Sequence, residues 1–488
     1  MPENGPAEAA PAALRTGRNS LLYLAGALLQ GLGIFLVQPF ALQLLQSDAK
    51  WQELFLSVSI IQVGVVLAAA GLPLAITKAW FDAGGPAKAR AISGFMTLGG
   101  LVLGVLAAGI CQFASGGGGA STSFSIALLA MGLQAGVLAA QAILRAQGRA
   151  AMFVVLSLIS SMAAYIAGLT AMLLYGAEAN IFMTGYGLMV LVSALVAAWT
   201  TKPSWPLSYQ GAVREGIAIG LPVLPHTGAL MLLTQGAVFL LAVTAAEGVS
   251  GDYGKVQVFV LGTITLLGAL NNAWVPALMA VKGAERVARL RSTMRTASLA
   301  GLGIVVVASA GANLVTHIMA GGKESLIPVA QVMPLVAMGY LLYLNASTLL
   351  FADNTTWWLS VVTPLVLVVG AALALVPALE GNLVGMAVTS VLTFMVLGVA
   401  YFVIVRRRAA GGWALKIYGA CTFAAAAYVV VLTLLPRNIF TGVLTVAVVA
   451  TALAGGGLTW RLLSRRRPRP VGTKKGDGTK DSHRSVVK

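Results

Sequence analysis

The chain has 488 residues, of which 58% are apolar and only 10% are charged, against about 25% charged residues in ordinary soluble proteins. Fifteen acidic and thirty-two basic side chains cannot cover a soluble protein of this length, so the composition excludes a soluble globular chain and indicates that lipid surrounds most of it. The net charge of +17 is compatible with nucleic-acid binding or with a membrane protein, and the positions of the basic residues distinguish the two.

Apolar windows long enough to cross a bilayer recur along the whole chain. A helix of about 20 apolar residues crosses a hydrocarbon core of about 30 Å, and these windows lack the alternation of β-barrel strands. The sequence therefore predicts an all-α polytopic membrane protein with about fourteen transmembrane helices. The predicted spans are residues 19–45, 53–77, 92–114, 124–144, 151–174, 181–200, 216–244, 256–281, 297–319, 327–350, 357–378, 383–405, 416–435 and 440–462.

The basic residues predict the orientation of these spans. With the N-terminus inside, only Lys50, Lys255, Lys323 and Arg437 fall on the outer side among the thirty-two basic residues, as the positive-inside rule requires. We therefore expect a multi-pass protein of the bacterial cell membrane with both termini cytoplasmic and no cleaved signal peptide. We expect residues 464–488 to form a disordered basic tail that lies on anionic lipid headgroups. The positive charge orients the chain, and no nucleic-acid partner is expected.

Motifs for catalysis are missing from the sequence. It contains no phosphate-binding GxxxxGK[ST] loop, no HExxH pair and no metal-ligand spacing, so we expect neither an enzyme nor a cofactor or metal. None of the predicted spans has a carboxylate near its centre. An exporter of cations generally needs such a group, because an unpaired cation is costly in low dielectric.

Polar side chains do occur within the spans. On the fourth span Gln134, Gln141 and Arg145 lie within about 40° of one another, at 100° per residue, and Lys78 lies at the inner end of the second. Any one of these groups alone can be explained by a hydrogen bond to a neighbouring helix. As a set they predict a water-accessible cavity of positive potential that favours an anionic head group, above all phosphate.

The seventh span begins with two prolines, Pro222 and Pro225, followed by His226. Prolines interrupt the helical hydrogen bonds, which is tolerated where the freed carbonyls meet protein or water. We predict a kink or hinge that lets His226 face the cavity. The alternative, that His226 only bonds a neighbouring helix, remains open.

Four short motifs carry a resemblance to a known family. They are residues 18–23 (RNSLLY), 71–78 (GLPLAITK), 220–226 (GLPVLPH) and 251–256 (GDYGKV). With the topology they resemble the polysaccharide-biosynthesis, O-antigen-type flippases of the multidrug/oligosaccharidyl-lipid/polysaccharide (MOP) exporter superfamily. Such flippases often carry a charged pair midway along the seventh span, where this chain has Gln235-Gly236-Ala237, so no proton-coupling role is carried over to that position.

The resemblance implies a domain organisation. Two six-helix bundles related by a pseudo-two-fold axis are expected, with two further helices after them. The implied segments are a cytoplasmic N-terminal segment (1–17), a first bundle (18–200), a cytoplasmic linker (201–213), a second bundle (214–405), helices 13 and 14 (406–463) and the tail (464–488).

The resemblance also implies the function. A flippase of this type moves a polyprenyl-phosphate-linked oligosaccharide from the inner to the outer leaflet by alternating access, among membrane lipids and alongside a glycan polymerase and glycosyltransferases. A drug or small-metabolite exporter of the same superfamily, a lipid II flippase and a non-transporting scaffold are the alternatives. The candidate substrate-binding residues are Arg18, Asn19, Gln30, Lys78, Gln134, Gln141, Arg145, Arg214, His226, Gln235, Asn271 and Asn272.

Overall fold

The structure, a computed structural model, describes residues 22, 25–26, 33–34, 36–116, 118–279, 281–353 and 355–465, without the side chains of 272–273, 276–277 and 455–465. All regular structure within these residues is helical, and no strand occurs among them. The helices are α1 (Leu36–Leu45), α2 (Asp48–Ala69), α3 (Leu72–Phe81), α4 (Gly85–Ala114), α5 (Gly119–Ala146), α6 (Ala150–Tyr175), α7 (Ala179–Thr201), α8 (Ala212–Thr244), α9 (Val249–Val256), α10 (Val258–Met279), α11 (Gly283–Met319), α12 (Glu324–Ala352), α13 (Trp357–Leu379), α14 (Leu383–Val405), α15 (Leu415–Leu434) and α16 (Ile439–Arg465).

The helices confirm the prediction of a multi-pass, all-α membrane protein. Twelve candidate spans in the described part of the chain are long and apolar enough to cross a membrane, and two shorter apolar helices, Leu36–Leu45 and Ile439–Ala454, accompany them. Within the described residues the predicted spans are helical, because a run of about 20 apolar residues has to be helical to satisfy its own backbone in lipid.

The helices pack as two bundles. In the first, α5 packs against α2, α4 and α7, and α6 packs against α7; in the second, α12 packs against α10 and α14, and α13 packs against α8 and α14, while α15 and α16 lie against α11. The most enclosed candidate span is α12, with 83% of its apolar stretch buried. The residue bounds expected for the segments of the chain stay a prediction.

In the described residues, a few helices supply the main contacts between the bundles. Helix α2 packs against α8 and α9, and the first part of α8 packs against α3 and α4. Helix α8 thus belongs to both bundles. Its two parts meet at a 3-10 turn, Leu221–Val223, which contains Pro222, at the place where the prolines predict a break.

A second break divides the predicted span 53–77 into α2 and α3. Ala70 and Gly71 have positive φ angles of 46° and 69°, and a side chain on Gly71 would collide with the carbonyl oxygen of Gly220. A Cβ on Gly220 would in turn lie 2.5 Å from the Ala70 carbonyl oxygen. Glycine is needed at both positions because the two backbones touch. Two of the short motifs quoted above therefore contact each other in space.

The two ends of the bundles carry different side chains. Lys78, Arg145 and Arg214 lie at the ends of α3 and α5 and at the start of α8, and this is called the basic end. Asp48 and Lys323 lie at the starts of α2 and α12, at the opposite end.

Candidate functional site

A cavity of about 460 Å³ lies between the two bundles. Helices α2, α5, α6 and α7 of the first bundle line one side, and α8 and α10 line the other. Its polar lining consists of glutamine, serine, threonine and tyrosine side chains, and no charged residue lines it in the described part of the chain. The polar lining residues are Gln62, Gln134, Ser160, Ser161, Tyr165, Tyr186, Thr234 and Thr265.

Three glutamines connect the bundles behind this cavity. The Gln235 amide nitrogen donates to the Gln62 Oε1 at 2.5 Å, and the Gln257 amide nitrogen donates to the Gln235 Oε1 at 3.1 Å and to the Thr234 carbonyl at 2.6 Å. Gln235 and Gln257 are fully buried. An amide can both donate and accept, so the three side chains form one hydrogen-bonded row from α2 to the start of α10. The Gln257 Oε1 is buried without a hydrogen-bond partner.

A tyrosine pair forms part of the first-bundle wall. The Tyr165 and Tyr186 rings meet edge to face, with their centroids 5.1 Å apart. The Gln62 side chain lies beside the Tyr165 hydroxyl, and the Gln134 side chain lies beside that of Tyr186. Both tyrosines therefore line the cavity together with these two glutamines.

A π-helical turn in α6 explains the position of Gln134. The turn covers Ile159–Ala163, and the Gln134 amide nitrogen donates to the Ser160 carbonyl at 2.9 Å. A π turn departs from the regular i→i+4 ladder and is frequent at functional sites. Here it supplies a backbone acceptor for the amide, so Gln134 is fixed at the wall of the cavity.

Of the predicted site residues, Gln134 lines this cavity, and Gln235 lies behind it, bonded to the lining residue Gln62. Gln141 lies further along α5, buried, and donates to the Ser157 hydroxyl at 3.1 Å. The Asn271 Oδ1 accepts from the Trp274 indole at 2.8 Å. The residues Arg18, Asn19 and Gln30 and the side chain of Asn272 lie outside the described residues.

The predicted cations lie at the basic end and do not line the cavity. Lys78, Arg145 and Arg214 are exposed there, with the Arg145 guanidinium 5.7 Å from the centre of the Phe153 ring. The polar stripe of α5 thus runs from Gln134 in the cavity to Arg145 at the basic end. Positive charge is available at the basic end, while the described lining of the cavity itself is neutral.

His226 lies inside the second bundle and is not a lining residue of the cavity. Its Nδ1 is 2.7 Å from the Thr363 hydroxyl and its Nε2 is 3.1 Å from the Tyr343 hydroxyl. Thr363 is also 2.7 Å from the Tyr401 hydroxyl. These contacts join α8, α12, α13 and α14, so the helix-bonding alternative describes His226 better than the cavity-facing one.

A cluster of four charges holds the bundles together at the opposite end. The Lys255 ammonium is 2.6 Å from Asp48 and 2.7 Å from Asp252, and the Lys323 ammonium contacts the same two carboxylates at 2.6 and 2.8 Å. Burial opposes the charge of Lys323, but hydrogen bonds and attraction to Asp252 and Asp48 outweigh it and raise the pKa of its ammonium. The Trp51 indole adds a hydrogen bond to the Gly251 carbonyl at 3.0 Å. The contacts between α2 and α9 close this end.

Sequence reasoning missed Gln257, Tyr165 and Tyr186 as site residues. Gln257 directly follows the motif 251–256, which was its only signal. The tyrosines look like ordinary members of apolar helices, and only the packing of α6 against α7 reveals their role. No group of His, Cys, Asp and Glu that could hold a metal ion occurs in the described residues.

The arrangement of two helical bundles around a polar cavity is similar to that of several solved structures. An inward-facing multidrug resistance MATE family transporter of the MOP superfamily matches with a TM-score of 0.60 and 15% identity, over 83% of this chain and 99% of that one. An outward-facing structure from that family matches with a TM-score of 0.55 and 17% identity, over 82% and 96%.

A MOP superfamily transporter from Pyrococcus furiosus also matches, with a TM-score of 0.53 and 16% identity, over 82% of this chain and 96% of that one. For that protein, a reversed polarity of the binding pocket suggests a different function. No protein-family model and no curated protein sequence matches the chain. The chain has the fold of the MOP-superfamily transporters.

Proposed function

We propose that the protein is a flippase that moves a polyprenyl-phosphate-linked oligosaccharide across a bacterial cell membrane by alternating access, for the assembly of a cell-surface polysaccharide. The observation that carries the proposal is the lining of the cavity between the bundles, which combines Gln62 and Gln134 with Tyr165 and Tyr186 and has no charged group among its described lining residues.

This lining suits a neutral, hydroxyl-rich head group. Each sugar hydroxyl donates and accepts hydrogen bonds, as amides and tyrosine hydroxyls do, and tyrosine adds an apolar ring face for the C–H surface of a sugar. A site for a cationic drug would need a carboxylate to offset the cost of burying the cation. The neutral lining therefore favours the glycan over a drug or small cationic metabolite.

The phosphate and the lipid chain of such a substrate need different surroundings. We place the phosphate at the basic end, beside Arg145, Lys78 and Arg214, because guanidinium and ammonium groups bind phosphate oxygens well. The polyprenyl chain remains in lipid. In this proposal the basic end is cytoplasmic, both termini lie on that side, and the glycosyltransferases that build the substrate act there, with a glycan polymerase on the other side.

The closed opposite end supports the alternating-access part of the proposal. The cluster formed by Asp48, Asp252, Lys255 and Lys323 closes the chain on the side away from the basic end. A substrate that enters from the basic end leaves only when this cluster separates. A rocking of the two bundles about the break in α8 would accomplish both steps.

Binding of a short-chain prenyl-pyrophosphate oligosaccharide to the purified protein tests the assignment of the cavity. Gln134→Leu removes one amide from the cavity wall, and we expect about tenfold weaker binding, the equivalent of about 1.4 kcal/mol. Gln112→Leu, an equivalent change at an exposed position of α4, is the matched control. Unchanged affinity in Gln134→Leu would remove the cavity from the glycan site, and binding of lipid II alone would shift the proposal to a lipid II flippase.

A further inference from the structure

A second pocket, separate from the cavity between the bundles, lies at the basic end between the start of α11 and the start of α15. It has a volume of about 270 Å³, below the range of about 300–1,000 Å³ usual for drug-sized ligands. Its lining residues are Arg291, Arg295, Gly411, Trp413, Ala414, Leu415, Lys416 and Ile417. The flippase mechanism makes no use of this pocket.

The pocket concentrates positive charge without a matching acid. Arg291, Arg295 and Lys416 are exposed, and none of them forms an ion pair with a carboxylate of the described residues. Arg291 is held in place because its Nε and one terminal nitrogen donate to the Gly411 carbonyl at 2.9 and 2.5 Å. Its remaining N–H groups are available to a ligand, since a guanidinium carries five donors.

Two further features of the pocket favour an anion, an unpaired indole donor and the start of a helix. The Trp413 indole nitrogen is buried without a hydrogen-bond partner, and its ring is held edge to face against Phe402 with the centroids 4.9 Å apart. The start of α15 has no side-chain cap, so the partial positive charge of a 20-residue helix points toward the pocket region. An unpaired buried donor is costly, and an anion in the pocket would satisfy it.

The level at which the pocket lies in the membrane favours a lipid headgroup as the bound anion. Arg295 lies two residues before the apolar window 297–319, and Leu415 and Ile417 contribute apolar side chains to the same lining. Cations followed directly by apolar surface, with a tryptophan beside them, are typical of the headgroup level of a membrane. Basic pockets between transmembrane helices bind anionic lipid headgroups.

From these features we infer that the pocket formed by Arg291, Arg295, Trp413 and Lys416 binds the phosphate headgroup of an anionic phospholipid. The acyl chains then lie along the outside of α11 and α15. The bound lipid ties the loop 406–414 to α11 and thereby braces α15 against the second bundle.

Native mass spectrometry of the full-length protein, titrated with phosphatidylglycerol or with phosphatidylcholine of the same chains, tests the inference. We expect one saturable site with a preference for phosphatidylglycerol. The triple variant R291Q/R295Q/K416Q should weaken it about a hundredfold, since each basic residue near a membrane surface contributes about fivefold, or about 1 kcal/mol. The control R289Q/R406Q/R407Q removes the same charge from exposed residues outside the pocket lining and should bind as the wild type does.

W413F provides a second probe that leaves the charges in place. It removes the indole donor together with part of the ring, and we expect a severalfold weaker affinity for phosphatidylglycerol. Equal affinity in wild type and both pocket variants would overturn the inference. It would also be overturned if millimolar inorganic phosphate displaced the lipid completely, because the site would then be one for free phosphate. Glycan binding by these variants stays unchanged, so failure here is distinguishable from failure of the flippase proposal.

Discussion

Lys255 is the side chain whose removal should open the closed end of the protein. Its side chain is only 4% exposed and contacts two carboxylates, Asp48 at 2.6 Å and Asp252 at 2.7 Å. Lys255→Met keeps the length of the side chain and removes its charge, which leaves the two carboxylates facing each other with Lys323 as their shared cation. We expect the contact between α2 and α9 to weaken and the open state to gain population.

The magnitude follows from the burial of the groups. Removing one partner of a buried pair costs about 3–5 kcal/mol, but Asp48 is 48% exposed and Lys323 remains bound to both carboxylates. We therefore expect a loss of about 2 kcal/mol, or roughly a thirtyfold shift toward the open state. Lys323→Met should have a smaller effect, because the Lys323 side chain is 36% exposed and exposed pairs contribute about 0–1 kcal/mol.

Distances between spin labels at Tyr175 and Glu380 measure this equilibrium. The two exposed residues lie at the opposite end on different bundles, and the free cysteines Cys111 and Cys421 are replaced in the background. Lys255→Met should add a longer distance to the distribution. Lys50→Met is the matched control, because Lys50 pairs with Glu178 within the first bundle at 2.7 Å. If Lys255→Met gave the same distribution as the wild type, the charge cluster would not close this end.

Three further predictions follow from other contacts. Gly220→Val should lower the thermal stability by about 1–3 kcal/mol of overpacking, because its Cβ would meet the Ala70 carbonyl; Gly99→Val faces open space and should leave the melting temperature nearly unchanged. His226→Phe should destabilise the second bundle, since it removes the bonds to Thr363 and Tyr343, while leaving glycan affinity unaltered in the binding assay; a selective loss of glycan affinity would instead place His226 in the site. The pKa of Lys323 is raised above its ordinary value of 10.5, so its ion pairs are fully present below pH 10.5 and are lost as the pH rises through the pKa of the folded state. The spin-label distances should therefore remain constant from neutral pH to about 10. Opening below pH 9 would contradict this reasoning.

The spans were predictable from the sequence because the length of an apolar run is a local property. The break at Pro222 was also predictable, since proline acts on its own helix. The break at Gly71 was not, because it depends on contact with Gly220, about 150 residues away. Polar groups in a span indicate that a partner exists, but the partner is found only when the bundles are assembled.

The residues of the candidate site likewise differ in whether the sequence alone could predict them. Gln134 and Gln235 stood out as polar residues within apolar windows; Gln134 lines the cavity, and Gln235 is buried behind it. Tyr165 and Tyr186 carried no such signal, because tyrosine is common in membrane helices. The basic residues that predicted orientation also predicted a positive cavity, yet a lysine or arginine at the end of a span reaches the headgroups at low cost, and Lys78, Arg145 and Arg214 remain at the basic end.

The central claim is that the neutral cavity carries a lipid-linked glycan, and a translocation assay in proteoliposomes tests it most directly. Vesicles containing the protein and a fluorescent polyprenyl-pyrophosphate oligosaccharide are treated with a membrane-impermeant quencher, and the protected fraction is followed with time. We expect the wild type and Gln112→Leu to equilibrate the glycan between leaflets, Gln134→Leu to do so about tenfold more slowly, and none of the three to accumulate a lipophilic cationic dye. Dye transport without glycan translocation would contradict the account and identify the protein as a drug exporter.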